Sequence, residues 1–195
     1  MKEFTIVRGL LDNRKRQLIL DKNFIQFENK NRKNDLFTII KKEDIVGVRY
    51  GIQFINGYRF YIGREYLIYI KTISQGEIKI NFKLFYGRKL NEKHQLFCDL
   101  VDELWYCYLN DLSQDYLDKI NRAENFELCG VQFLTGKIKL NNKELLFENI
   151  EIEAYKHYYV IYSKQDRYHN KMLYYLKDEN AVILSDLINI IKSHE

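Results

Sequence analysis

Two basic clusters are the residues whose types and spacing best suit a chemical task. Arg14, Lys15 and Arg16 precede one short apolar run, and Lys30, Arg32 and Lys33 follow the next. If residues 18–20 and 24–27 form a tight hairpin, both clusters lie at its open end and converge. A convergent patch of that kind holds a phosphate or carboxylate through charge-assisted hydrogen bonds. The alternative is a solvated basic rim. Tyr58, Tyr61, Tyr66 and Tyr69 lie among Arg59, Arg64 and Lys71, a mixture suited to stacking the bases of a single strand. The aromatic signature of RNA-binding sheets is missing. Nucleic acid is therefore the alternative partner to an anionic ligand or a protein.

Catalytic constellations are hard to assemble from the other candidates. His94, His157, His169 and His194 form no His-Glu-x-x-His pair and have no cysteine at metal-ligand spacing along the chain. No Gly-x-Ser-x-Gly elbow or Walker-type loop occurs. Cys98, Cys107 and Cys129 are an odd number without a Cys-x-x-Cys pair, which suits free thiols in a reducing compartment better than a disulfide framework. The expectation is a protein that is not an enzyme and uses no cofactor and no metal; an enzyme built from distant residues is the third alternative.

The elements that must carry the basic clusters follow from periodicity. Strand-like runs cover residues 4–10, 18–20, 24–27, 36–40, 45–55, 58–61, 66–70 and 78–84. Asn56-Gly57 predicts a two-residue hairpin, and Gly63-Arg64 and Gln75-Gly76 further turns. Leu96, Phe97, Leu100, Val101, Leu104, Trp105 and Tyr108 then recur at helical spacing. They predict a helix over 91–112, with a helical connector over 113–124. Short strand-like runs return between 126 and 176. A last helix capped by Asp178 follows, with a core stripe of Val182, Leu184, Leu187, Ile188 and Ile191.

The chain reads as built twice. Glu43-Asp44-Ile45 with Tyr50 recurs as Glu148-Asn149-Ile150 with Tyr155, each in the middle of its block, and each block ends in a helix. The span from motif to helix is shorter by 18 residues in the second copy. The predicted organisation is a first domain over 1–112, the connector over 113–124 and a second domain over 125–195.

Charge divides the same way. Residues 1–90 carry 19 Lys and Arg against 9 Asp and Glu, a net of +10, while residues 91–124 carry −5. The surplus points to an anion-tolerant first domain. The start of the chain has no apolar signal-peptide core, and no run approaches the roughly 18 apolar residues of a membrane span. The expectation is a cytoplasmic protein without a transmembrane segment, for which peripheral membrane contact remains open.

Seven or so antiparallel strands closed by one amphipathic helix resemble the pleckstrin-homology-like fold. Glu43-Asp44-Ile45 after Ile39-Ile40, and Glu148-Asn149-Ile150 after Leu146-Phe147, resemble a corner of its bacterial members. The resemblance implies an α+β, mostly antiparallel architecture: two small barrels or sandwiches, each with a C-terminal helix. It implies a binding or adaptor role with a protein or an anionic headgroup as partner. By the same resemblance Arg8 matches a basic position on the first strand, and Arg14 with Arg16 a basic-x-Arg pair on the second.

Overall fold

The computed structural model describes residues 1–9, 12–28, 36–86 and 90–193. The chain divides into two compact units, Met1–Asn110 and Asp111–Glu195.

In the first unit, β1 (Lys2–Val7), β2 (Lys15–Leu20), β3 (Phe24–Glu28) and β4 (Phe37–Lys41) form an antiparallel sheet in chain order. A second antiparallel sheet holds β5 (Ile45–Asn56), β6 (Tyr61–Thr72) and β7 (Gly76–Phe85). Side chains alternate across a strand, so every second residue faces inward. Phe4 and Ile6, Leu18 and Leu20, and Ile25 and Phe27 supply the buried face of the first sheet; Ile68, Ile70, Ile80 and Phe82 do so in the second. Each such aliphatic or aromatic side chain stabilises the fold by about 1.5–3 kcal/mol.

Helix α1 (Leu90–Leu104) follows, then a π-helical segment, Trp105–Leu109, then α2 (Asn110–Asn121). Phe97 of α1 packs its ring 5.1 Å from that of Tyr66, which itself stacks on Phe82 at 4.9 Å. The π segment widens the helix by one residue. Cys107, Tyr108 and Leu109 are consequently all buried, where a regular helix would turn one outward. Trp105 Nε1 donates to the Tyr50 hydroxyl at 2.7 Å, and Tyr108 Oη lies between the carbonyls of Asp21 and Phe24, 2.7 Å from the latter.

The second unit repeats this order with shorter strands. β8 (Phe126–Leu128), β9 (Val131–Leu134), β10 (Lys137–Leu140) and β11 (Lys143–Leu146) form one sheet. β12 (Ile150–Ala154), β13 (Tyr158–Ser163) and β14 (Asn170–Tyr174) form another, followed by α3 (Ala181–Ser193). Asn141 and Asn142 both adopt positive φ between Leu140 and Lys143, the conformation of a tight two-residue hairpin. The α3 stripe named from the sequence is buried throughout, together with Ala181 and Ile183.

The repeated motif occupies the same corner in both units. Lys42–Asp44 and Phe147–Asn149 are 3-10 turns, and Ile45 and Ile150 begin the next strand buried. Ile73 N donates to Asp44 O at 2.9 Å, as Lys164 N donates to Asn149 O at 2.9 Å.

Several local expectations are corrected. The barrels are not closed: among the described residues the strands of each unit form separate four- and three-stranded sheets. The hairpin at Asn56-Gly57 has four residues in its loop, because Asn56 pairs with Tyr61 and Gly57 N donates to Phe60 O. Gly63 is no turn. It lies inside β6, where a Cβ would sit 2.2 Å from Leu84 O, so the glycine serves a close strand approach. Asp178 does not cap α3; its carboxylate accepts from Tyr174 N at 2.6 Å, and the helix starts at Ala181. No helix among the described residues is long and apolar enough to cross a membrane.

Candidate anion site

Strand alternation decides the fate of the first basic cluster. β2 starts at Lys15, earlier than the apolar run suggests, and its inward positions are Arg16, Leu18 and Leu20. Lys15 faces outward. Arg16 takes a core position opposite Ile6 of β1 and is only 1% exposed.

A buried guanidinium needs partners for five N–H groups. Arg16 Nη2 donates to both oxygens of Asp12, at 3.0 and 2.8 Å. Its Nε and Nη1 are buried without a partner, and so is Nε of Arg8, just beyond β1. Arg8 is close enough for the two charges to interact. Its pKa is lowered by burial first and by the Arg16 charge second, against the opposing pull of Asp12. Two guanidinium groups thus share one carboxylate, with one positive charge uncompensated in a desolvated place.

Lys93, in the first turn of α1, closes the same end. Its Nζ donates to Lys83 O at 2.6 Å and lies 3.5 Å from Val7 O. Burial lowers its pKa. A backbone bond from Lys83 N to Arg8 O, 2.6 Å, ties β7 to the residue after β1. An arriving oxyanion would meet N–H donors already held in place by the fold.

Arg14 is spent elsewhere. It pairs with Glu28, whose other oxygen accepts from Gln17 N at 3.1 Å. The Gln17 N–H is the main reason the Glu28 carboxyl is held below the usual range, and Arg14 adds to it. Arg14, Lys15 and Arg16 therefore point to three different environments. Lys30, Arg32 and Lys33 lie outside the described residues. The sequence placed Arg8 and Arg16 among the candidates but gave no signal for Asp12 or for Lys93, one polar residue among several at a helix start.

The tyrosine-rich face is mostly occupied. Tyr66 is core, and Tyr69 lies under Arg49 at 4.8 Å and Lys79 at 5.5 Å. Tyr61 packs on Phe54 at 5.0 Å. Of the four, Tyr58 is the most exposed, with the Arg59 guanidinium 5.4 Å from its ring.

The histidines and cysteines do not assemble. His169 is buried, with Nε2 2.9 Å from Leu140 O, so that nitrogen carries the proton. His94 Nε2 stands 3.9 Å from Cys98 Sγ, but burial and then Asp102 and Asp99 raise the Cys98 thiol away from the thiolate a nucleophile needs. His194 lies outside the described residues. Among the described residues no group of three or more His, Cys, Asp or Glu side chains is arranged to hold a metal ion. Comparison with protein-family models, with curated proteins and with solved structures finds no match to the chain.

Proposed function

We propose that the chain is a non-enzymatic binding module of two pleckstrin-homology-like units, the first of which takes an oxyanion between Arg8 and Arg16. Two features support the likeness: a four-stranded sheet, a three-stranded sheet and a helix follow in the same order twice, and the Glu-Asp/Asn-Ile corner recurs between the sheets. The binding role rests on one observation. Arg16 is buried, yet Nε and Nη1 have no partner. Each unpaired buried polar group costs about 1–3 kcal/mol, more when charged, and a phosphate or carboxylate oxygen recovers that cost. The oxyanion belongs to a lipid headgroup, a free phosphate or an acidic side chain of a partner protein.

The test is thermal unfolding and calorimetric titration with inorganic phosphate and pyrophosphate, beside co-sedimentation with phosphatidylcholine vesicles with and without phosphatidylserine. Ligand at about 100 times its Kd stabilises by about 2.7 kcal/mol. Arg16→Met and Arg8→Gln should lose that gain, and Arg14→Gln should keep it. Stabilisation by free phosphate alone identifies a soluble ligand; sedimentation only with phosphatidylserine identifies a headgroup. If neither phosphates nor anionic vesicles bind, a free phosphate and a headgroup are excluded and an acidic side chain of a protein partner is left; if Arg16→Met binds as well as wild type, the site is not an anion reader.

A further inference from the structure

The hairpin joining β5 and β6 outruns its own sheet. β6 pairs with β7 as far as Gly63 opposite Phe85, and Tyr86 N then donates to Ile62 O at 2.9 Å. Beyond that level β5 and β6 continue alone to Asn56 opposite Tyr61, with Gly57 N bonded to Phe60 O at 2.7 Å. Gly57 is required there, since a Cβ would come within 2.6 Å of Ile62 Cγ2 and 3.0 Å of Phe60 O.

The closed tip holds large rings outward. Tyr58 is 92% exposed, Phe60 72% and Tyr61 53%. Residues 54–64 contain Arg59 and Arg64 and no carboxylate. Arg64 lies between Phe54, 5.4 Å away, and Tyr86, 5.9 Å away, below the tip, with Phe85 and Tyr86 partly exposed at the same level. The tip shares its end of the unit with the arginine site. Lys83, two residues before Phe85 on β7, is the residue bonded to Arg8.

Aromatic rings with polar ends flanked by arginines match the chemistry of the bilayer interface, where Tyr sits at headgroup level and Arg reaches out to phosphate. The reach fits too. Two to three residues beyond the end of β7, at about 3.3 Å each, project roughly 7–10 Å. An interfacial element buries its apolar face by about 5–10 Å. A carboxylate-free tip carrying Arg59, with Arg64 below it, complements a negatively charged leaflet.

We infer that residues 58–61 insert into the interface of a phospholipid bilayer carrying anionic headgroups. The inference deepens the anion-binding reading by naming its lipid source, while the insertion itself rests on the tip. The insertion positions Arg8 and Arg16 on the membrane-facing end of the unit, so that anchor and headgroup site act on one surface.

The full chain carrying Trp105→Phe and Phe60→Trp has its only indole at the tip. Vesicles of phosphatidylcholine with phosphatidylserine should shift that emission to the blue, and lipids brominated near the top of the acyl chain should quench it. Tyr58→Ser with Phe60→Ser should lower the sedimented fraction roughly tenfold or more, because the interfacial burial is lost. Its urea midpoint should be unchanged, which separates loss of binding from loss of fold. Sedimentation of the Phe60→Trp protein without blue shift or quenching overturns the inference, and so does failure to sediment with either vesicle. If the wild-type protein shows no phosphate response, or Arg8→Gln keeps it, while the tip is still quenched, insertion stands and the anion-binding reading falls. If Arg8→Gln abolishes sedimentation and the tip of the parent protein never responds to lipid, the anion-binding reading stands and insertion falls.

Discussion

Asp12 holds one edge of Arg16 and leaves the other bare. Nη2 donates to Oδ2 at 2.8 Å and Oδ1 at 3.0 Å, while Nε and Nη1 are buried without partners. A guanidinium that existed only to hold β1 to β2 would be better replaced by the leucine or isoleucine that the strand pattern asks for. Retaining three of its five N–H donors unpaired costs stability and makes sense where another group fills them.

That argument gives an asymmetric mutational outcome. Removing the carboxylate in Asp12→Ala leaves a buried charge unpaired and should cost about 3 kcal/mol, the lower end for a broken buried pair because Asp12 is partly exposed. Arg16→Met removes the charge altogether and should cost less than about 1 kcal/mol, or stabilise. Urea midpoints of the two variants decide it. If Arg16→Met is the more damaging, Arg16 is a structural strut and its free donors have no ligand to explain them.

Two depressed carboxyls set the acid limb of stability. Glu28 accepts from Gln17 N and pairs with Arg14; Glu151 pairs with Lys192 first and Lys164 second. Both pKa values lie below the ordinary 4.5 when folded. The unfolded chain therefore binds more protons than the folded one as pH falls past that value. Their stabilisation is fully present above the unfolded pKa and is lost as pH falls through the folded one. Urea titrations at pH 6 and at successive steps below 4.5 should show wild type losing stability faster than Glu28→Gln or Glu151→Gln. Parallel curves for wild type and variants would mean that other groups govern acid unfolding.

What the sequence made legible followed from periodicity and repetition. The α3 stripe, the seven-strand order and the recurring Glu-Asp/Asn-Ile corner were all readable, because each depends on neighbours within a few residues. The sequence groups Arg16 with Arg14 and Lys15 as one cluster; only pairing with β1 shows that it alone turns inward. Gly63 was misread. Glycine followed by arginine resembles a turn, and the demand it meets comes from Leu84, 21 residues away. The proposed anion site combines the end of β1, β2 and the start of α1, and no local pattern announces a group assembled across 85 residues.

The thiols should be slow to react in the folded protein. Burial raises Cys107 to about 11, with Glu103 adding to it, and raises Cys129 to about 12, with Asp178 adding to it. Cys129 Sγ also donates to Glu179 O at 2.9 Å. A thiol whose pKa is raised holds less thiolate at any given pH, and the thiolate is the reactive form. Iodoacetamide at pH 8 should modify Cys107 and Cys129 only when urea opens their units, with Cys98 reacting first. Mass spectrometry of timed samples reads the order. Rapid native labelling of Cys129 would show its surroundings to be open in solution.

The close approach at Gly63 predicts a penalty that differs from that of a turn glycine. Gly63→Ala places a methyl group 2.2 Å from a backbone oxygen of β7, and neither strand can yield without breaking its ladder. The cost should be about 3 kcal/mol, at the upper end for overpacking. Gly136→Ala meets no atom within 4 Å but must hold φ +70°, so about 1 kcal/mol is expected. Equal costs in urea would mean that β6 and β7 are farther apart in solution than the structure places them.

The internal repeat predicts that one corner bond matters in both units. Thr72 and Ser163 end β6 and β13, are buried, and lie opposite Ile45 and Ile150. Thr72 Oγ1 accepts from Gln75 N at 3.0 Å and donates to Gly76 O at 2.9 Å; Ser163 Oγ accepts from Gln165 N at 3.2 Å. Thr72→Val keeps the shape but strands a donor and an acceptor, and should cost about 1–3 kcal/mol. Thr72→Ser keeps both bonds and should cost little. Ser163→Ala strands only one donor through a longer bond and should cost about 1 kcal/mol. Hydrogen exchange at the Gln75 and Gln165 amides reports each loss separately: Thr72→Val should speed exchange at Gln75 without changing Gln165, and Ser163→Ala the reverse. Exchange at Gln75 as slow in Thr72→Val as in wild type would show that the hydroxyl does not hold the turn, and the equivalence of the two corners would then be one of shape alone.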